Sequence, residues 1–196
     1  MRSVISRTLS ALALAAALGS PLRAEGDIDS GAYLAARVAE TENDFRAAAN
    51  SYGKAIIADP GNPALLEGAI LADIGVGDFA PAIDAARARA AIEGEPSQLA
   101  DLALLADEVN REDYAAVLSA FGGGRDVGDL ANKLIVAWAK VGEGKMSEAV
   151  EAFDAVIQTK GYEAFGYYHK ALALASVGDF EGADEILSGK AAGPSS

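Results

Sequence analysis

The chain has 196 residues, with 29 acidic and 16 basic side chains, a formal net charge of −13 and no cysteine. The absence of cysteine excludes disulfide bonds and a lipid-modified N-terminal cysteine, so the fold depends on packing alone. The negative charge argues against nucleic-acid binding, because affinity for a polyphosphate comes from clustered lysine and arginine side chains. The charge either attracts basic partners or solvates the outer surface of the protein.

The N-terminus has the three-part pattern of a secretory signal peptide. Arg2 and Arg7 precede an apolar run at residues 9–18, and a plausible cleavage end follows at Ala24. The run is shorter than the roughly 20 residues that a membrane-spanning helix needs. We therefore predict that residues 1–24 are a cleaved signal peptide and that no stable membrane insertion remains after cleavage. The mature protein is then periplasmic, with secretion as the alternative.

The rest of the chain, up to residue 188, favours helices separated by tight turns. In three turns a residue that tolerates the left-handed conformation precedes an aspartate that can cap the next helix. These turns are Asn43-Asp44, Gly77-Asp78 and Gly178-Asp179. Asn62 and Pro63 suit the N-cap and the first position of a further helix.

Large apolar side chains recur along this region at intervals of about 34 residues. Each follows a predicted turn, and a small or branched apolar residue stands three positions later. The pairs are Phe45 and Ala48, Phe79 and Ala82, Tyr114 and Val117, Met146 and Ala149, and Phe180 and Ala183. A period in this range is typical of helical hairpins that stack on their neighbours.

The repeats resemble the tetratricopeptide repeat (TPR). The first unit carries that family's order of aromatic, small, aromatic, small and proline residues at Phe45, Ala48, Tyr52, Ala55 and Pro60. The resemblance implies an all-α fold over residues 25–190, a right-handed α-solenoid (an α-α superhelix) of about five TPR-like helical hairpins. The implied units are 29–62, 63–97, 98–129, 130–163 and 164–190, followed by a disordered tail at 191–196. The chain is also similar to the N-terminal part of longer exported TPR proteins of alphaproteobacteria.

Two features depart from the repeat pattern. The segment 122–128 contains three consecutive glycines, which favour flexibility, and we predict a hinge there between the third and fourth units. Asp73, Asp101, Lys133 and Lys140 occupy positions where the family usually packs an apolar group. The register assigned to the second, third and fourth units could therefore shift by one residue.

The last predicted helix is apolar where a terminal helix should be polar. Phe180, Ile186 and Leu187 contribute to this apolar face, although solenoids need a terminal helix with a polar outer surface. Either this hairpin docks on another chain, which includes self-association, or the sequence is a shortened version of a longer array.

The sequence has no residue arrangement typical of catalysis or metal binding. His169 is the only histidine, and without cysteine it cannot form the usual nitrogen–sulfur zinc site. We interpret His169 as a hydrogen-bonded core or groove residue. The segment 122–128 and Gly144-Lys145 lack the offsets of phosphate-binding loops, and residues 27–38 lack the bidentate glutamate of a calcium loop. We predict no enzymatic activity, no catalytic residue, no cofactor and no metal site.

The resemblance also implies a binding surface, since the first helix of each hairpin lines the concave face in this family. The matching positions are Tyr33, Arg37, Glu67, Leu71, Leu102, Leu134, Trp138, Phe165, Tyr168 and Leu172. The later ones form a mainly apolar strip that contains the only tryptophan, and aromatic anchors often dominate binding energy. The alternative is that Trp138, Phe165 and Tyr168 belong to the core between helices.

Two hypotheses of function follow. The first is a non-catalytic adaptor or scaffold of the bacterial cell envelope, which binds an unidentified protein or peptide in the concave groove. Some family members hold a peptide carboxylate at the positions that match Tyr33, Arg37, Glu67 and Leu71. Arg37 is the only cation among these four, so we expect apolar contacts to an extended or helical segment instead. The second hypothesis is a small-ligand carrier or an accessory subunit of an envelope enzyme complex.

Overall fold

The fold is described by a computed structural model over residues 30–94 and 96–189. Within these ranges the chain forms ten α-helices and no strand. The helices are α1 (Ser30–Thr41), α2 (Phe45–Ala58), α3 (Pro63–Val76), α4 (Phe79–Ala90), α5 (Gln98–Asn110), α6 (Tyr114–Gly122), α7 (Asp129–Gly142), α8 (Met146–Ile157), α9 (Glu163–Ser176) and α10 (Phe180–Leu187). The predicted signal peptide and the predicted tail lie outside the described residues.

Each helix packs mainly against the helices that precede and follow it in the chain. Helices α1 and α2, α3 and α4, α5 and α6, α7 and α8, and α9 and α10 form hairpins, and the second helix of each hairpin packs on the first helix of the next. First helices also meet directly, α3 with α5 and α7 with α9. This nearest-neighbour packing confirms the predicted all-α solenoid of TPR-like hairpins.

Capping carboxylates mark the starts of three helices, and two of these caps, Asp44 and Asp179, were predicted. Asp44, Asp179 and the unpredicted Asp113 accept backbone N–H groups in the first turns of α2, α10 and α6, at 3.0, 2.9 and 3.1 Å. Gly77 ends α3 with a φ of 85°, in the left-handed region that favours glycine. Asp78 differs from the prediction, because its side chain makes no capping hydrogen bond to α4.

The small residue that follows each turn is buried, as its predicted position between two helices requires. Ala48, Ala82, Val117 and Ala149 have no exposed surface, and Ala183 is 6% exposed. Tyr52 and Phe153, one helical turn further along α2 and α8, are also fully buried. Small and large side chains therefore alternate along the inner faces of the hairpins, which lets the helices approach without leaving voids.

Three of the four charged residues that interrupt the repeat pattern are ion-paired. The pairs are Asp101 with Arg125, Lys133 with Asp129, and Lys140 with Glu148. The fourth residue, Asp73, lies near another carboxylate instead. Burial, and then the charge of Asp78, raise the pKa of its carboxyl group. The ion pairs show how the fold accommodates these three charged residues.

The glycine-rich segment 122–128 is held by contacts to the helices on both sides. The Arg125 side chain is 8% exposed and makes two hydrogen bonds to the Glu108 carboxylate of α5, at 2.5 and 3.0 Å. The Asp126 carboxylate accepts the backbone N–H of Gly128 and the side-chain amide of Asn132, and these bonds lower its pKa. The hinge in this segment remains a prediction, and a movement there would have to break these contacts.

Candidate functional site

We use the name groove for the side of the protein that carries the first helices of the hairpins, α1, α3, α5, α7 and α9, because the resemblance predicts the concave face there. All ten predicted site residues on it are apolar, aromatic or ion-paired, and they differ in exposure. Leu71, Leu102, Phe165, Tyr168 and Leu172 are between 40% and 55% exposed. Arg37 is exposed, whereas Tyr33, Glu67, Leu134 and Trp138 are half-buried.

The charged residues at the N-terminal end of the groove are bound within the protein. Arg37 pairs with Glu40 at 2.5 Å, and Glu67 pairs at 3.0 Å with the buried guanidinium of Arg89. Glu40 also accepts a hydrogen bond from the hydroxyl of Tyr52 at 2.7 Å. Arg37, the one cation expected at the carboxylate-binding positions, therefore already has an anionic partner.

A cavity of about 650 Å³ opens where α5 and α6 meet α7. Its walls carry no charged side chain. Leu134 and Trp138, two of the predicted site residues, line it together with Leu105, Val109, Tyr114, Val117, Ala131, Ile135, Ala139, Val141, Gly142 and His169. We call this the first cavity.

Trp138 belongs both to the helix core and to the wall of the first cavity. Its ring packs edge-on against the buried ring of Phe153, with 5.7 Å between the ring centroids, and this contact joins Trp138 to the core of the fourth hairpin. Its indole N–H donates to Nδ1 of His169 at 3.0 Å. Since an indole can only donate, Nδ1 of His169 is the acceptor, and the proton of the neutral imidazole lies on Nε2. The sequence-based interpretation of His169 as a hydrogen-bonded histidine agrees with this geometry.

A second cavity, of about 460 Å³, lies on the other side of α5, against α3 and α4. Leu102 is the only predicted site residue in its lining. The other lining residues are Ile74, Phe79, Ile83, Leu99, Ala103, Ala106, Asp107 and Asn110. Asp107 is the only charged one, and it is bonded to Arg87 and Arg111.

The second cavity lies at a junction where the aromatic ring after the turn packs differently from its counterparts. At two other junctions the aromatic ring after the turn lies directly on a glycine of the next hairpin, Phe45 on Gly75 and Tyr114 on Gly142. A Cβ atom at either glycine would come within 2.5 Å of the ring. None of the described glycines lies against Phe79, which is 62% exposed and lines the second cavity together with Asn110. The ring that is packed on backbone at the other two junctions thus borders open space at this one.

The exposed face of α5 forms a ridge between the two cavities. Leu102, Ala106 and Val109 are spaced by four and three residues, so they lie on one face of the helix, and all three are exposed. Leu102 and Ala106 line the second cavity, and Val109 lines the first. We call these three residues the α5 ridge.

Sequence reasoning placed Leu134, Trp138 and Leu102 on the groove but missed the other residues that line the two cavities, including Ala106, Val109 and Ile74. The helical spacing from Leu102 to Ala106 and Val109 was a usable signal, because apolar residues at that spacing share a face. No comparable signal existed for Phe79, which the repeat pattern places at a turn. Phe165, Tyr168 and Leu172 lie on α9, and neither cavity includes them.

Neither a metal-binding cluster nor a membrane-spanning helix occurs in the part of the chain that the structure describes. No group of three or more His, Asp or Glu side chains there is placed to hold a metal ion. Among the same residues, no helix is both long and apolar enough to cross a membrane.

Comparison with known proteins identifies the fold. No family model and no curated protein matches the sequence. A crystal structure of the MamA protein is similar over 87% of this chain and 98% of its own, with 19% identity and a TM-score of 0.63. A second MamA structure covers 80% of this chain and 96% of its own, with 20% identity and a TM-score of 0.59.

A third solved structure carries a family description. The crystal structure of YrrB, described as a TPR protein with an unusual peptide-binding site, is similar over 78% of this chain and 79% of its own. Its identity is 20% and its TM-score is 0.59. Together with the stacked hairpins, these likenesses show that the chain adopts the tetratricopeptide-repeat fold that its sequence resembles.

Proposed function

We propose that this protein is a non-catalytic scaffold that binds a segment of another protein in the groove. We propose further that it acts in the bacterial cell envelope, after export by its signal peptide. The observation that carries the first proposal is the pair of apolar cavities on either side of the exposed α5 ridge.

The cavities and the ridge expose apolar side chains together, and clustered exposure of this kind is typical of interaction surfaces. Burying one bulky apolar side chain in each cavity would contribute about 1.5–3 kcal/mol per side chain. Contacts with the ridge would add to this. Affinity in the micromolar range needs about 8 kcal/mol in total, so two anchors and their surroundings are a reasonable source for it.

The likeness to YrrB supports the proposal through the fold that the two proteins share. The peptide-binding site in its description belongs to YrrB, but the two proteins share a fold that presents a row of first helices. In this chain the row carries exposed apolar residues from Leu71 on α3 to Leu172 on α9. A binding role needs no catalytic group, and this is why we propose a scaffold rather than an enzyme.

The test is capture of a partner by the mature protein and by a groove variant. Leu102→Asp places a charge on the α5 ridge, and Ile57→Asp is the matched control, since Ile57 is 84% exposed on α2, away from the groove. The two proteins are immobilised in parallel and exposed to envelope extract, and bound proteins are identified by mass spectrometry. We expect Leu102→Asp to lose a specific partner that the wild type and Ile57→Asp retain, with unchanged helicity in all three. Equal capture by all three would show that the groove is not the binding surface.

The envelope location has its own test. The full-length protein with a C-terminal tag is expressed in a Gram-negative host, and the periplasmic fraction is compared with the cytoplasm. We expect a shortened product in the periplasm, and a variant in which Leu12 and Leu14 are replaced by Asp should stay in the cytoplasm at full length. Cytoplasmic retention of the unmodified chain would contradict export.

A small-ligand carrier is the second candidate, and the size of the first cavity favours it. A volume of about 650 Å³ lies within the range of roughly 300–1,000 Å³ typical of small-molecule sites. An apolar compound with one hydrogen-bonding group would meet the apolar walls and the polar pair formed by His169 and Trp138. Saturable binding of such a compound in calorimetry, lost in Leu134→Asp, would favour this function over peptide binding.

We also propose that the exposed apolar face of α10 mediates self-association. Phe180 is 72% and Leu187 is 65% exposed. Burying two such side chains against a second copy would favour a dimer. Sedimentation equilibrium should show a dimer for the wild type and a monomer for Phe180→Lys, and a monomeric wild type would refute this contact.

A further inference from the structure

We propose that the groove takes a cationic amphipathic α-helix, which crosses the α5 ridge and places one bulky apolar side chain in each cavity. The inference rests on the proposed function, because it names the class of segment that the same surface would bind. It depends on the hydrogen-bonding groups of the groove, on the spacing of the cavities and on charge.

The groove offers few hydrogen-bonding groups to the backbone of a ligand. The lining residues of the two cavities on α5 and α7 are mostly apolar, and they include Leu99, Leu102, Ala106, Val109, Ala131, Leu134, Trp138 and Val141. Of the polar lining residues, Asp107 is already bonded to Arg87 and Arg111, and Nδ1 of His169 is bonded to Trp138. Asn110 and Tyr114 add one further polar side chain to the second and the first cavity, respectively, which is too few for the backbone of an extended segment.

An extended segment would therefore bury backbone N–H and C=O groups without partners. Each such group costs about 1–3 kcal/mol when it loses water and gains no hydrogen bond. A helix pairs these groups internally, so its apolar face can enter an apolar groove without that cost. The composition of the groove thus favours a helical ligand over an extended one.

The positions of the cavities suit the repeat of a helix. They lie on opposite sides of α5, so they are separated by about one helix-to-helix spacing, roughly 8–10 Å. Residues i and i+7 of an α-helix share a face and lie about 10 Å apart along its axis. A helix that crosses α5 can therefore place residue i in one cavity and residue i+7 in the other.

Charge favours a basic outer face on this helix. The chain has a formal net charge of −13, and no lysine or arginine lines either cavity. Asp73 and Asp78 are the chain neighbours of Ile74 and Phe79, which line the second cavity. Burial, and then the charge of Asp78, raise the pKa of Asp73, so two carboxylates lie close together beside this cavity. Lysine and arginine side chains on the ligand would supply the opposite charge.

The test uses a designed peptide rather than an unknown partner. The probe is a tryptophan-free peptide of about 18 residues, made of alanine and lysine with leucine at two positions seven residues apart. Three control peptides have the same length: one has the leucines on opposite faces, one has a central proline, and one has glutamate in place of lysine. Binding to the mature protein is measured by calorimetry and by the emission of Trp138, and peptide helicity by circular dichroism.

We expect the probe to bind and to become helical. Each control peptide should bind about tenfold or more weakly, which is the effect of losing one good anchor. Leu102→Asp and Val109→Asp should weaken binding of the probe by a similar factor, and Ile57→Asp should not. Added salt should weaken binding of the basic probe.

Several outcomes would overturn the proposal, and they are distinguishable. If the proline peptide binds as tightly as the probe and remains sensitive to Leu102→Asp, the helix is wrong but the groove function stands. If the glutamate peptide binds as tightly as the probe, the basic face is wrong. If no peptide binds and partner capture is also insensitive to Leu102→Asp, both this inference and the proposed function fail.

Discussion

The ring of Tyr52 on α2 lies directly against the backbone of Gly68 on α3. A Cβ atom at residue 68 would overlap the ring, since its nearest neighbours would be Cζ, Cε1 and the hydroxyl oxygen of Tyr52. Tyr52 is 1% exposed and its hydroxyl donates to Glu40 of α1 at 2.7 Å. One side chain thus joins three consecutive helices, and the absence of a side chain at Gly68 makes the arrangement possible.

We predict that Gly68→Ala destabilises the protein although alanine favours helices. The methyl group would displace a buried ring, and overpacking of this kind costs about 1–3 kcal/mol. Gly53→Ala is the matched control, because residue 53 lies within α2 and a Cβ atom there would meet nothing within 4 Å. That change should stabilise the helix by about 0.5–1 kcal/mol. Urea unfolding followed by circular dichroism compares the two, and equal midpoints would contradict the contact.

We predict that the protein loses stability at alkaline pH because the hydroxyl of Tyr52 ionises. Burial, and then the hydrogen bond to Glu40, raise the pKa of Tyr52 from 10.0 to about 12. Because the pKa of Tyr52 is higher in the folded than in the unfolded protein, its neutral hydroxyl stabilises the fold fully below about pH 10. This contribution to the free energy of unfolding is lost as the pH rises through 12. The loss is at most about 2–3 kcal/mol.

Tyr52→Phe isolates this effect from other alkaline transitions. The variant has no group to ionise at this position, so its free energy of unfolding should fall less than that of the wild type between pH 10 and 12. The comparison is made by urea unfolding at each pH. Parallel pH profiles for the two proteins would mean that Tyr52 ionises freely in the folded state.

The sequence predicted the helices and their caps well, because these depend on neighbours in the chain. Asp44 and Asp179 cap the helices that follow them, and each capping bond joins residues within one turn. The buried alanines were predictable for a similar reason, since a repeated position has a repeated environment. The cavities were not predictable, because their walls join side chains from different hairpins, such as Phe79 of α4 and Asn110 of α5.

Arg125 makes a contact that the local sequence did not predict. Three glycines beside it predict flexibility, yet its guanidinium reaches back 17 residues along the chain to Glu108. Nothing in the local sequence indicates that contact, since Arg125 and Glu108 are both charged residues of the kind normally found at a surface. The tetratricopeptide resemblance likewise placed Trp138 on the groove but could not show that it also packs on Phe153.

We predict that Arg125→Met destabilises the junction between α6 and α7. The side chains of Arg125 and Glu108 are 8% and 14% exposed, and Asp101 lies 3.5 Å from the guanidinium. Removing the cation leaves two poorly solvated carboxylates together, and breaking a buried pair in this way costs about 3–5 kcal/mol. Arg111→Met is the control, because Arg111 is 51% exposed and its ion pairs lie at the surface.

A second substitution tests the cause of that loss. Glu108→Gln in the Arg125→Met background removes one of the unpaired charges, so part of the lost stability should return. The midpoint of thermal unfolding measures both steps. If the double variant is no more stable than Arg125→Met alone, the loss comes from packing rather than from charge.

Trp138 provides a probe of the first cavity, because it is the only tryptophan in the chain. Its indole N–H donates to Nδ1 of His169 at 3.0 Å, and two replacements of His169 separate that bond from packing. His169→Gln keeps an acceptor on a side chain of moderate length, whereas His169→Leu fills the space without one.

An indole N–H left without a partner in an apolar wall costs about 1–3 kcal/mol, so His169→Leu should be the less stable variant by roughly that amount. Its Trp138 emission should also shift to shorter wavelength, because the ring loses a polar neighbour. Equal stability and equal emission of the two variants would show that the hydrogen bond contributes nothing to the position of Trp138, and that the wall of the cavity is set by the ring's contact with Phe153 alone.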